Sequence, residues 1–331
     1  MKYILYILAL LCPTPCIAQR ISVGKNGIRK VLKTDSTQTR EYIATQSYYK
    51  STKDETDSKH SMQKDAKEPY VQSDIDINIP FSDIKQDNTF AVIIANENYQ
   101  EEVNVEYARN DGETFKHYCN NILGIPEPNI HLRKDATLNN ILTEINWMQN
   151  IAKAYNRECN FIVYYAGHGI PDESNGTAYL LPVDGKSDMP ETGISINNFY
   201  STLNDLHAEQ VTIVLDACFS GTRRGEGMLT YTRGVAIKTK QEKPQGNMIV
   251  LTATNGDETA YPYKEKRHGL FTYFLLKKIQ ETKGNITYGD LYKYVKKNVS
   301  QKSIVINGKP QTPTISVSGC LSQCWENTKI K

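Results

Sequence analysis

The sequence has almost no excess of charge of either sign. Its 331 residues carry 39 lysines and arginines against 37 aspartates and glutamates, a net charge of +2. That balance argues against a dedicated nucleic-acid binder, which needs a strong basic excess. Long hydrophobic runs are also lacking. The single apolar run of note lies at the extreme N-terminus and is short for a bilayer span, so a polytopic membrane protein is excluded. Seven cysteines, about 2% of the chain, are too few for a disulfide scaffold. No Cys-x-x-Cys or His-x-x-x-His cluster offers the three or four ligands that zinc requires. No internal repeat is present. What remains is ordinary globular composition, 39% apolar and 23% charged, on a length that suggests about two domains.

The chain begins Met1-Lys2, runs through apolar residues from Tyr3 to Cys12, and reaches a small residue at Ala18 after Pro13 and Pro15. A positive start, a short apolar core and a small residue at the end form the pattern of a secretory signal peptide over residues 1–18. The prolines stop a helix there. Neither Cys12 nor Cys16 has the small preceding residue that a lipid-attachment site wants. The expectation is export, to a periplasm or beyond the cell, with no stable membrane anchor. Cys119, Cys159, Cys218, Cys320 and Cys324 would remain, an odd number that implies at least one free thiol. Cys320 and Cys324 are either a disulfide or two ordinary thiols.

Residues 19–85 are polar and mixed in charge, and they read as a largely disordered pro-segment or linker. Within them, residues 75–80 alternate with period two and suggest one short strand packed on the main domain. From about residue 86 the pattern changes. Short apolar runs at 90–95, 130–132, 160–166, 210–215 and 248–253 alternate with helical stretches near 106–122, 138–152, 195–207, 268–282 and 287–299. A last strand is expected near 313–317. Such alternation predicts an α/β fold with a mostly parallel central sheet flanked by helices on both faces.

In open α/β sheets, sites lie beyond the carboxyl ends of the strands. Two strand ends carry reactive groups here. One runs into Gly167-His168-Gly169, the other into Asp216-Ala217-Cys218-Phe219-Ser220-Gly221. An imidazole beside a thiol can take its proton and expose a nucleophilic thiolate. The backbone N–H groups of Gly169 and Cys218 are candidates for an oxyanion hole. The pattern is that of a thiol hydrolase.

These segments resemble the caspase-like cysteine peptidases, and among them the bacterial caspase-like and metacaspase-type enzymes. The histidine strand 164–169, the Leu180-Leu181-Pro182-Val183-Asp184 segment, the nucleophile strand 214–221, His268-Gly269-Leu270-Phe271-Thr272 and Gln311-Thr312-Pro313 match in order. His168 precedes Cys218 by the spacing of about fifty residues seen in that family. The resemblance implies a catalytic dyad of His168 and Cys218. It also implies a large-subunit-like part to about residue 222, a processing loop over about 222–247 and a small-subunit-like part from about 248. Caspases have glutamine two residues before the nucleophile; Asp216 stands there, as in metacaspases. A buried carboxylate calls for a paired cation, so the resemblance implies cleavage after Arg or Lys. Asp111 resembles a second pocket acid, and Asp184 is a third candidate. His268 matches a family motif but reads as structural.

The loop between the halves is rich in glycine and basic residues, and exposed polar loops are preferred sites of nicking. An enzyme with basic specificity would cut itself there, after Arg223, Arg224, Arg233, Lys238 or Lys240. Partners are then protein or peptide substrates with basic residues. No cofactor is expected: the 170–177 loop holds only Asp172 and Glu173, and calcium wants six to eight oxygen ligands. The competing readings are a catalytically silent caspase-like binding or scaffold module and a non-protease thiol hydrolase on the same sheet.

Overall fold

The computed structural model describes residues 72–219, 243–256 and 258–331, and the backbone of residues 20–24 and 27–31. The expected signal peptide and the candidate cut sites lie outside these residues. The chain divides into two units, Met1–Ala66 and Lys67–Lys331. In the first, Arg20–Gly24 and Gly27–Val31 pair as an antiparallel hairpin.

The second unit is built on a six-stranded sheet. Its strands are β1 (Thr89–Ala95), β2 (Ile130–Lys134), β3 (Asn160–Ala166), β4 (Gln210–Asp216), β5 (Met248–Thr252) and β6 (Thr314–Val317). The order across the sheet is β2-β1-β3-β4-β5-β6. All neighbours are parallel except the β5–β6 pair. The helices are α1 (Ala108–Asn121), α2 (Leu138–Ala154), α3 (Ile196–Asn204), α4 (Leu270–Thr282) and α5 (Tyr288–Asn307).

The apolar runs exist because both sheet faces are covered. Ala91, Ile93, Tyr164, Val214, Ile249 and Leu251 pack with residues of α1, α4 and α5. Phe90, Val92, Val163, Ile213, Leu215 and Val250 pack with α2 and α3. Local signals mark the helix starts. Thr137 accepts from the N–H of Asn140 in a capping box at α2, and Ser195 and Thr287 cap α3 and α5 in the same way. The α5 helix runs eight residues past its expected end near 299, to Asn307, and stops at Gly308, whose φ is 65°. The polar Ser300-Gln301-Lys302-Ser303 stretch and the exposed Ile304 and Val305 hide the helical period, yet Ser303 is buried and accepts from the Gln311 N–H at 3.0 Å.

The start of the second unit departs from the expected pattern. Residues 75–80 are turn and bend rather than strand, and the unit begins well before residue 86. Ile75 is fully buried and Ile77 is exposed, which breaks the period-two expectation. What secures this strap is charge. Asp74 binds Lys266 and Lys277, each at 2.9 Å, and Asp76 binds His268 at 3.0 Å.

Candidate active site

Register sets the site. Strands β3 and β4 are parallel neighbours that pair Ala166 with Asp216. The Gly167 N–H then donates to the Asp216 carbonyl at 3.3 Å. His168 and Cys218 each lie two residues beyond that last matched pair. The two backbones touch at this point: a Cβ on Gly169 would fall 2.5 Å from the Cys218 carbonyl oxygen. The His168 ring lies against Tyr99, with centroids 4.6 Å apart, and Tyr99 shares one core with Cys218 on the α1, α4 and α5 face. Imidazole and thiol therefore belong to the same side of the sheet.

His168 is held at its backbone N–H, its carbonyl and its Nε2. Its N–H donates to the Tyr99 hydroxyl oxygen at 2.7 Å, and its carbonyl accepts from the Tyr165 hydroxyl at 2.7 Å and from the Leu181 N–H at 3.0 Å. Nε2 lies 2.7 Å from the Val103 carbonyl oxygen. A carbonyl only accepts, so Nε2 carries the proton and Nδ1 is the basic nitrogen of the neutral ring. Burial raises the Tyr99 pKa to about 12, which keeps its phenol protonated. Gly167 is needed because a Cβ there would lie 2.7 Å from the Tyr99 oxygen and 2.8 Å from the Tyr165 oxygen. Neither Gly167 nor Gly169 has positive φ; close approach, not turn geometry, selects them.

Cys218 is 4% exposed and His168 8%. The Ala260 N–H donates to the Cys218 sulfur at 2.8 Å, which fixes where the sulfur points. Ala260 thus packs directly against the Cys218 sulfur.

The three candidate pocket acids have three different settings. Asp216 sits at the end of β4 on the face shared with Cys218, and Thr272 donates to its Oδ2 at 2.7 Å. Asp111, fully buried on α1, accepts from His268 Nδ1 at 2.8 Å and from the Gly269 N–H at 3.0 and 3.1 Å. Asp184 accepts from the Leu138 N–H at the first turn of α2, a capping role. His268 is fully buried with a carboxylate at each ring nitrogen, Asp111 at one and Asp76 at the other. Burial alone would push its pKa down, but the bonds to Asp111 and Asp76 outweigh it and raise the value to about 9. That value favours the imidazolium at neutral pH.

Elsewhere, Asp172 turns back on Ser174 and Asn175. Among the described residues no group of three or more acids, histidines or cysteines stands in metal-ligating proximity. Cys320 and Cys324 are exposed free thiols, while Cys119 and Cys159 are buried. Sequence reasoning missed Val103, because any residue supplies a carbonyl, and missed Tyr99, whose role depends on a contact 69 residues away.

A family profile described as a caspase domain matches residues 88–323, which include both His168 and Cys218. The chain belongs to the caspase-domain family. That membership supports cysteine peptidase activity. The curated paracaspase of Dictyostelium discoideum is 27% identical over 198 residues, which is 58% of this chain. The chain spans 44% of that relative's length. Among solved structures, caspase-1 from Spodoptera frugiperda superposes with a TM-score of 0.50 at 14% identity, covering 73% of this chain and 92% of that one. Protein GSU0716 from Geobacter sulfurreducens gives 0.52 at 17% identity, covering 70% and 93%. These two share the caspase fold with the chain.

Two outcomes follow from the packing of this caspase domain. Gly169→Ala forces the two strand ends apart at the Cys218 carbonyl, and peptidase turnover should fall by about a hundredfold or more, since a misplacement of about 1 Å costs that much. Near-normal turnover in a steady-state assay would contradict the contact. The raised His268 pKa gives a stability contribution that is full below about pH 6.5 and is lost as pH rises through about 9. It amounts to roughly 3 kcal/mol. Melting temperatures of wild type and His268→Gln should therefore converge between pH 7 and 10. A constant gap would show the imidazole to be neutral throughout.

Proposed function

We propose that the protein is an exported cysteine endopeptidase that cleaves after Arg or Lys and cuts itself within residues 223–243. The observation that carries the specificity is Asp216: a carboxylate two residues before the nucleophile, on the same face, 1% exposed and held by Thr272. A buried carboxylate is best compensated by a substrate cation. Asp111 is already engaged by His268 and the Gly269 N–H, so in this reading the pocket acid is Asp216 rather than a pair of acids. Asp184 serves α2 and has no part in this reading.

In the reaction, the Cys218 thiol gives its proton to His168 Nδ1 as sulfur attacks the scissile carbonyl carbon. The Val103 carbonyl holds Nε2–H and steadies the ring as it becomes cationic. The carbonyl oxygen takes up the electron pair against the N–H groups of Gly169 and Cys218. Collapse of this intermediate expels the amine, which takes the proton from His168, and leaves a thioester. Water then attacks the thioester, giving a proton to His168, and the thiol is restored. The buried dyad supports synthesis as a closed precursor. Opening by cuts after Arg223, Arg224, Arg233, Lys238 or Lys240 fits basic specificity, and the residue 1–18 leader supports export.

Peptides with Arg, Lys or Asp before the scissile bond test this reading. Cleavage is expected after Arg and Lys alone, absent in Cys218→Ala. Asp216→Asn should lower kcat/KM for the Arg peptide by about a hundredfold, as removal of one partner of a buried charge pair does. Cleavage after Asp, or an Asp216→Asn enzyme with an unchanged preference, would refute it.

A further inference from the structure

We propose that the strap of residues 72–80 is part of the substrate-recognition apparatus, with Asp76 acting through His268 and the first turn of α4 to position Thr272 and thereby the Asp216 carboxylate. The inference rests on the reading of Asp216 as the acid that receives the basic side chain. The strap lies outside the caspase-domain match, which begins at residue 88.

The chain of contacts is continuous. The Thr272 hydroxyl has one proton, and it goes to Asp216 Oδ2 at 2.7 Å. The Tyr164 hydroxyl, 2.8 Å away, then donates to Thr272 Oγ1, which fixes the direction of the relay. Thr272 stands in the first turn of α4, three residues after the Gly269 N-cap. Two carboxylates hold that end of the helix. Asp111 from α1 accepts the Gly269 N–H, and Asp76 from the strap takes the other side of His268 while also accepting from the Thr114 hydroxyl at 2.7 Å. One imidazolium cannot neutralise two carboxylates, so the trio keeps a negative charge and depends on its hydrogen bonds for register.

The rest of the strap follows α4 along its length. Asp74 accepts from Lys266, Lys277 and the Tyr273 hydroxyl, and Gln280 donates to the Ile77 carbonyl at 2.9 Å. Tyr118 of α1 donates to the Ile75 carbonyl at 2.9 Å. The strap thus ties α1 to α4 beside the turn that carries Thr272. Loosening it frees that turn, and with it one oxygen of Asp216, while the contacts of His168 with Tyr99, Tyr165 and Val103 stay intact. Asp76, His268 and Thr272 are positioning residues; none of them reaches the reacting atoms.

The test compares cleavage of an Arg peptide and its neutral citrulline isostere by wild type, Asp76→Asn, Thr272→Val, Thr272→Ser and the double variant Asp76→Asn/Thr272→Val. The rate of Cys218 alkylation by iodoacetamide reports on the dyad. Thr272→Val should raise KM for the Arg peptide by about tenfold, the loss of one hydrogen bond to a charged group, with a smaller change in kcat. Thr272→Ser should restore it. Asp76→Asn should raise KM in the same direction and lower the Arg-over-citrulline preference, with alkylation unchanged. The double variant should be no worse than Thr272→Val alone, since both break one chain. If Asp76→Asn fails to fold, Tyr273→Phe loosens the strap at Asp74 and should produce a smaller shift of the same kind. An unchanged KM and preference in folded Asp76→Asn or Tyr273→Phe, full additivity, or an alkylation rate that falls in parallel would overturn the proposal. Failure of the underlying reading is seen separately, as a wild-type enzyme with no preference for arginine over citrulline.

Discussion

Everything at the site depends on the pairing of β3 with β4. With Ala166 opposite Asp216, the two strands end level, and the two residues that follow each end bring His168 and Cys218 to the same height. A slip of one residue in this pairing would turn one of the two side chains to the other face. The apolar alternation along both strands prevents it. Val163 and Ile213 must meet α2 and α3, while Tyr164 and Val214 must meet α1 and α4. The placement of the two side chains is thereby inherited from core packing, and Tyr99 and Val103 then hold the histidine.

Around that pairing the chain places groups of opposite character. On the imidazole side are neutral hydroxyls and carbonyls, from Tyr99, Tyr165 and Val103, which orient a ring that must gain and lose a proton. Beside them on the same face is an ion-paired cluster of Asp76, His268 and Asp111. It lies at the start of α4 and is separated from Cys218 by the hydroxyl relay of Thr272. Two histidines with different partners thus share one face: His168 faces the Val103 carbonyl, and His268 lies between two carboxylates that raise its pKa.

Much of this was legible in the sequence, and the reasons are specific. Strands buried on both faces leave continuous apolar runs, so β1 to β5 stood out. The glycines around His168 and the acid before Cys218 mark a site because few other uses explain them together. Main-chain contributions left no trace, as with the Val103 carbonyl. Asp184 looked like a pocket acid because it follows a motif segment, but a carboxylate near a helix N-terminus has an equally good local use. The strap was misread for a related reason. Its alternation of Ile and Asp imitates a half-buried strand, whereas the aspartates bind Lys266, Lys277 and His268, about 190 to 200 residues further along the chain. Pairing over that distance cannot be read from local periodicity.

The central claim is that one sulfur, activated by His168 and addressed through Asp216, performs the chemistry. The most direct measurement is covalent labelling with a peptidyl chloromethyl ketone carrying arginine next to the reactive carbon, followed by peptide mapping by mass spectrometry. The account predicts a single adduct on Cys218, strongly reduced in His168→Ala and absent with the matching aspartate reagent. Adducts on Cys119, Cys159, Cys320 or Cys324 in preference to Cys218, or equal labelling by the aspartate reagent, would contradict it.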